Sequence, residues 1–212
     1  MNPKASAVLE ILADVYPDME ENPPRGDPFR TLIGCILSQR TRDSSSEKAV
    51  ERLFSHASTP REVVMLDQEE LYDLIRCLGF YRQKARYIRE TCRELVERHG
   101  GEVPDEKEAL LRLTGVGPKT ADVVLSHCFD EAVIAVDVHV SRVSRRLGLA
   151  PMEAGPEKVQ LSLHGLIPQD KYLFYDRSTV RLGKGYCRKS NPLCGECPLR
   201  GCCDYGKPST GI

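Results

Sequence analysis

Apolar positions recur along most of the chain at three- and four-residue intervals, the period of one helix face. In "DQEELYDLIRCLG", Leu71, Leu74, Ile75 and Leu78 share a face. Asp67 and Glu70 stand at capping-box spacing before them, and Gly79 marks a stop. "TPREVVML" offers Thr59 as N-cap, Pro60 at the first helical position and Glu62 to complete the box. "SSSEKAVERLF" repeats that logic with Ser44 and Glu47. "QKARYIRETCRELVERHGG" places Ile88, Cys92, Leu95 and Val96 at helical spacing and ends in Gly100-Gly101. Further helices fit 6–16, 28–38, 105–113, 118–128, 138–147, 156–166 and 170–182. One run, "AVIAV" (132–136), has β character. It is too short and isolated to build a sheet, so it is expected to cross a core in extended form. About ten short helices with short links predict an all-α protein. The last residues, "GKPSTGI", read as a frayed end.

Composition adds two features. The 212 residues are 41% hydrophobic and 29% charged, enough for one large domain or two small lobes. Neither a secretory signal nor a membrane-length apolar run is visible, which predicts a cytoplasmic protein without a membrane partner. Net charge is −1, so a globally basic nucleic-acid binder is not indicated. Residues 171–207, however, hold eight Lys or Arg against three acids. Nine cysteines are just as uneven: Cys35, Cys77, Cys92 and Cys128 lie singly in helical patterns, while Cys187, Cys194, Cys197, Cys202 and Cys203 crowd the end. In a reducing compartment such a cluster reads as a metal site before a disulfide frame.

Between the helices expected at 105–113 and 118–128 stands "LTGVGPK". Glycines at 115 and 117 permit positive φ and close backbone approach. The unpaired N–H groups that open the next helix, around Val116, Gly117 and Thr120, form a concave donor site for a phosphate oxygen. The stretch therefore reads as a helix-hairpin-helix that grips a nucleic-acid backbone without reading sequence. Read without that function, it is a helix corner with packing glycines. Lys119, in the first turn, is either a solvated lysine or a nucleophile, since a helix N-terminus favours a free amine over an ammonium.

Asp137 precedes the helix expected at 138–147. An N-cap is the commonest reason for Asp there, but a carboxylate could also assist proton transfer or stabilise a cationic sugar. Arg142, Arg145 and Arg146 form a basic face, either solvated or phosphate-facing, and His139 reads as a packing histidine. "CRKSNPLCGECPLRGCC" can be read C-x6-C-x2-C-x5-C through Cys187, Cys194, Cys197 and Cys203, with Cys202 entering if the last spacing is x4. Four thiolates suit zinc or a [4Fe–4S] cube, and spacing leaves both open. Arg188, Lys189 and Arg200 would give that loop a basic, phosphate-facing rim.

"GEVPDEKEALLRLTGVGPKTADVVL", then "AVDVHVSRVSRRLGL", then the cysteine spacing closely resemble the endonuclease III family. This is the iron–sulfur branch of the helix-hairpin-helix DNA glycosylases. "LGFYRQKARYI" and "ILSQRTRD" resemble two more of its segments, and the match runs from about residue 28 to 205. The resemblance implies a base-excision repair DNA glycosylase with AP-lyase activity, acting as a monomer on double-stranded DNA containing oxidised pyrimidines or abasic sites. Such an enzyme would be cytoplasmic and nucleoid-associated. Lys119 falls on the family's nucleophile, Asp137 on its carboxylate, and Cys187, Cys194, Cys197 and Cys203 on its cluster ligands. The implied fold has two helical lobes flanking a cleft. One is a six-helix barrel, here 22–132; the other joins 1–21 to 133–212 and carries the cluster loop 187–203. The family's two wedge side chains, Gln and Leu, fall on Arg40 (with Gln39 just before it) and on Phe80, both departures. Phe80 reads equally as a helix-end staple. Pro118 stands at a place often basic in the family. Rival readings are a G/T or G/U mismatch glycosylase, and a non-catalytic metal-stapled DNA-binding or redox-sensing module.

Overall fold

The computed structural model describes residues 2–19, 25–41 and 43–206. Its eleven α-helices, among the described residues, are α1 Pro3–Val15, α2 Pro28–Ser38, α3 Asp43–Phe54, α4 Pro60–Met65, α5 Gln68–Ile75, α6 Tyr81–Arg98, α7 Lys107–Leu111, α8 Pro118–Cys128, α9 Val138–Leu147, α10 Pro156–His164 and α11 Tyr172–Gly185. Two 3-10 turns lie between helices and a third, Arg200–Cys202, follows α11; no strand forms among the described residues. The protein is all-α. Five of the helices begin on proline: α1, α2, α4, α8 and α10. Proline suits that position because its missing N–H has no helical partner there and its φ is already helical. α4 and α5 carry complete capping boxes on Thr59–Glu62 and Asp67–Glu70. Each such cap stabilises by about 1 kcal/mol.

Several boundaries differ from the pattern. α1 starts at Pro3, because Asn2 caps it by accepting from the N–H groups of Lys4 and Ala5. α3 starts at Asp43, so Ser44 lies inside the helix instead of capping it. α7 is shorter than expected at both ends. α5 stops at Ile75, not at Gly79. The left-handed turn that follows falls on Phe80 (φ 58°), which serves as N-cap of α6. Residues 207–212 of the expected frayed end, and the expected boundary at 21/22, lie outside the described residues.

The chain divides into two compact units, Arg25–Asp130 and Met1–Pro24 with Glu131–Ile212. In the Arg25–Asp130 unit, α2 packs on α3, α6 and α8, and α6 also packs on α4 and α5. Leu32, Ile33, Ile36, Ile75, Ile88 and Leu95 are fully buried there. α6 ends as its sequence suggests, with Gly101 N–H donating to Leu95 O at 2.9 Å and both glycines left-handed. In the other unit α9 packs on α10 and α11, and α1 packs on α11. Residues 132–136 form neither helix nor strand, and they place Ile134 and Val136 in a core shared with Val8, Leu12, Val140 and Tyr175. Leu199 joins the same core and anchors the cysteine loop. No described helix is long and apolar enough to cross a membrane.

Candidate functional site

In the Arg25–Asp130 unit the site is a hairpin built on α6. Lys107 of α7 and Asp122 of α8 form an ion pair at 2.6 Å, with the Asp122 side chain only 4% exposed. That pair closes the two hairpin helices on each other. Between them Gly115 is left-handed (φ 79°), and a Cβ on it would meet the Tyr87 Cβ at 3.0 Å. Gly117 is different. Its φ of −107° is open to any residue, and a Cβ would meet nothing within 4 Å. Only one of the two glycines is therefore required by the turn. Val116 is buried, and its N–H is taken by Leu113 O.

α8 opens on Gly117 without a side-chain cap. Pro118 has no N–H, and those of Lys119 and Thr120 find no acceptor among the described residues. The Thr120 side chain is buried, so its backbone N–H is what it offers a ligand. The Lys119 side chain is exposed beside these open donors. Its ammonium also lies close enough to Cys35 to oppose the rise in that thiol's pKa; burial drives the rise and Cys128 adds to it.

One stripe of α6 supports the hairpin and the loop after α2. Glu94 accepts from Thr114 N–H at 2.8 Å and from its hydroxyl at 3.0 Å. Thr91 donates to Thr114 O at 2.5 Å, and Tyr87 fills the space beneath Gly115. Gln39 donates its side-chain amide to Gly115 O at 2.9 Å. Its neighbour Arg40 is exposed and left-handed (φ 54°). Phe80 is 65% exposed and also left-handed. A positive φ is uncommon for a residue other than glycine, and strain of this kind gathers at functional sites.

In the second unit Asp137 is the N-cap of α9. One carboxylate oxygen accepts from His139 N–H at 2.7 Å and Val140 N–H at 2.8 Å. The other makes no hydrogen bond or ion pair among the described residues. The capping reading is thus correct, and it leaves one oxygen available.

The three arginines of α9 are not simply a solvated face: each is half-buried and donates to backbone carbonyls. Arg142 donates to Cys187 O at 2.8 Å, Gly183 O at 3.0 Å and Val138 O at 3.2 Å, and its guanidinium meets His139 Nδ1 at 3.0 Å. Arg145 turns to Ser141 O, Met152 O and Ala154 O. Arg146 donates to Arg188 O at 2.8 Å and Lys189 O at 3.3 Å, and reaches Cys187 Sγ at 3.4 Å. The guanidiniums of Arg142 and Arg146 thus brace the start of the cysteine loop, while Arg145 ties α9 to the turn before α10. Lys189 itself remains exposed on that loop.

Cys187, Cys194, Cys197 and Cys203 line one small pocket, with Arg146, Tyr186, Arg200 and Tyr205 around them. Cys202 is not in its lining; its thiol donates to Leu199 O at 3.3 Å. Burial pushes the Cys197 thiol up; the Leu199 N–H opposes this, and the neighbouring Cys187, Cys203 and Cys194 reinforce it. Among the described residues no three His, Cys, Asp or Glu side chains converge as the ligands of a single ion would. The four cysteines share the lining of one space, and an all-thiol lining fits an iron–sulfur group.

Two features carried no motif. Lys84 of α6 is 4% exposed; its Nζ donates to Leu37 O at 2.6 Å and to the Thr41 hydroxyl. The signal was present, because Lys84 stands on the apolar stripe of Ile88, Cys92 and Leu95. The inward turn of the α9 arginines had no local signal.

The description "HhH-GPD superfamily base excision DNA repair protein" matches residues 33–169. Endonuclease III of Thermotoga maritima is 44% identical over 198 residues, 93% of this chain and 92% of that protein. Endonuclease III of Escherichia coli K12 is 36% identical over 204 residues, covering 93% and 94%. A solved structure of a trapped endonuclease III–DNA covalent intermediate superposes with a TM-score of 0.87 at 36% identity, covering 97% of this chain and 98% of that one. The chain therefore belongs to the HhH-GPD superfamily of base excision DNA repair proteins, and within it to the endonuclease III family.

Proposed function

We propose that this chain is a bifunctional DNA glycosylase and AP lyase that removes oxidised pyrimidines from duplex DNA. The observation that carries the reading is Lys119, an exposed amine in the first turn of α8 beside the uncapped N–H groups of Lys119 and Thr120. Those donors suit a phosphate oxygen, so the backbone grip and the nucleophile would stand on one helix end.

The Lys119 amine attacks C1′ of the damaged nucleotide. The C1′–N bond forms as the glycosidic bond breaks, and the base leaves with a proton. Opening of the C1′–O4′ bond gives the imine. Loss of a C2′ proton then expels the 3′ phosphate by β-elimination, and water frees the lysine. The unused oxygen of Asp137 suits proton transfer or stabilisation of the cationic sugar. The target nucleotide must leave the stack first. Arg40 and Phe80, both exposed on left-handed turns, are the side chains proposed to enter the gap. Cys187, Cys194, Cys197 and Cys203 would hold a [4Fe–4S] cluster, whose contribution is to shape the loop that presents Lys189. The proposed assembly is a monomer with two helical lobes, working in the cytoplasm on the nucleoid.

Borohydride trapping tests the reading. A duplex bearing one oxidised pyrimidine should give a covalent adduct whose mapped crosslink is Lys119, and Lys119→Ala should lose the adduct while still binding the DNA. An adduct mapped to another residue, or none with wild type, overturns the proposed mechanism.

A further inference from the structure

We infer that Lys84 is a positioning residue for nucleotide extrusion, holding the Arg40 turn and the Phe80 turn in fixed register from the first turn of α6. This rests on the proposed entry of Arg40 and Phe80 into the duplex.

Three contacts converge on Lys84. Its backbone N–H donates to Phe80 O at 3.0 Å, closing the turn on which Phe80 is left-handed. Its Nζ donates to Leu37 O at 2.6 Å, before Arg40, and to the Thr41 hydroxyl, just after it. The short left-handed turn of Arg40 is thus clasped on both sides by one ammonium. Leu37 O is also among the last carbonyls of α2, where a positive charge is favoured.

Stability alone does not explain a lysine here. The residue is 4% exposed, and among the described residues its side-chain acceptors are a carbonyl and a hydroxyl, with no carboxylate. Burial holds its ammonium below the usual lysine range, with Cys77 opposing that effect. On the same stripe Ile88, Cys92 and Leu95 show that this face packs apolar groups. A methionine would fill the volume without burying a charge. What it could not do is hold Leu37 and Thr41 together. The clasp has a second anchor, since Gln39 is tied to Gly115 O. Arg40 is then the residue of this turn left exposed, presented at a fixed angle.

The test compares Lys84→Met, Lys84→Gln and Thr41→Val with wild type in single-turnover base release. Two substrates carry the same oxidised pyrimidine, one fully paired and one already extrahelical in a one-nucleotide bulge. A 2-aminopurine next to the lesion reports extrusion. Lys84→Met should slow release from the paired duplex about tenfold or more, as small misplacements at a distance do. It should slow release from the bulge several-fold less and reduce the 2-aminopurine rise. Lys84→Gln keeps a donor and should recover part of the loss. Thr41→Val leaves the lysine in place and should shift the paired-to-bulged ratio in the same direction, so the inference stays testable if Lys84→Met does not fold. An equal loss on both substrates, or no loss, overturns the inference while leaving the proposed function intact. A wild-type enzyme that traps no abasic DNA overturns the proposed function, and this inference with it.

Discussion

Gln39 donates its side-chain amide to the carbonyl of Gly115 at 2.9 Å, joining the loop after α2 to the tip of the hairpin. The bond gives Gln39 a structural task in the loop whose exposed neighbour, Arg40, is proposed to enter the DNA. Gln39 is committed to the protein, and Arg40 beside it is exposed. It also couples the two segments, so an error in the hairpin is felt by the loop. Tyr87 and Thr91 of α6 hold the same tip from the other side.

The two hairpin glycines should therefore respond differently to alanine. At Gly115 the left-handed backbone costs an L-residue about 1–2 kcal/mol, and the added Cβ would crowd the Tyr87 Cβ at 3.0 Å. Gly115→Ala should lower the melting temperature and DNA affinity together. At Gly117 the backbone is extended and the space is open. Gly117→Ala should leave stability within about 0.5 kcal/mol but weaken DNA binding, because the methyl stands where a phosphate would approach. Thermal melts and fluorescence anisotropy on an abasic-analogue duplex check the pair. Equal melting losses in both variants would be the contrary result.

Asp137 serves the helix with one oxygen and leaves the other without a partner among the described residues. Asparagine keeps the capping oxygen and is as good an N-cap as aspartate. Asp137→Asn should thus melt near wild type while base release slows by about a hundredfold or more, the range lost with a general acid–base group. Asp137→Ala should lose the cap as well, at about 1 kcal/mol. Single-turnover kinetics with calorimetry separate the two roles. A normal rate in Asp137→Asn would reduce the residue to its cap.

What was legible in the sequence was local. The Thr59–Glu62 and Asp67–Glu70 boxes and the proline starts at 28, 60, 118 and 156 act within one turn of chain, so spacing alone exposes them. The cysteine spacing is likewise written in a short segment, and the pocket lining sorts Cys203 from Cys202. Arg142 could not be read this way. Its partners Gly183 and Cys187 lie 41 and 45 residues away, and an arginine on a helix face looks the same whether it meets water or a distant carbonyl. Gly117 misled for a related reason: a glycine shows that a side chain is missing but not whether backbone or ligand needs the space.

Cys202 and Cys203 are adjacent, yet only Cys203 lines the pocket, with its thiol also 3.2 Å from Arg146 O. Cys203→Ser should lose the broad visible absorption of an iron–sulfur protein and loosen the loop that carries Lys189. Cys202→Ser should keep both. Iron and sulfide analysis of the purified variants checks this. Loss of iron in Cys202→Ser with retention in Cys203→Ser would reverse the ligand assignment.

Arg142 and Lys189 should differ most in salt dependence. Each phosphate contact contributes about 0.9 to the slope of log affinity against log salt. Lys189 is exposed on the cysteine loop, so Lys189→Ala should lower the slope by about one. Arg142 already directs four of its five guanidinium N–H groups to Cys187 O, Gly183 O, Val138 O and His139 Nδ1. Arg142→Met should leave the slope unchanged and cost about 1 kcal/mol of stability, because the carbonyls it leaves unpaired are only partly buried. Binding titrations from low to moderate salt, run beside thermal melts, distinguish these outcomes. A reduced slope in a normally stable Arg142→Met would show that the guanidinium leaves its carbonyls for the DNA backbone.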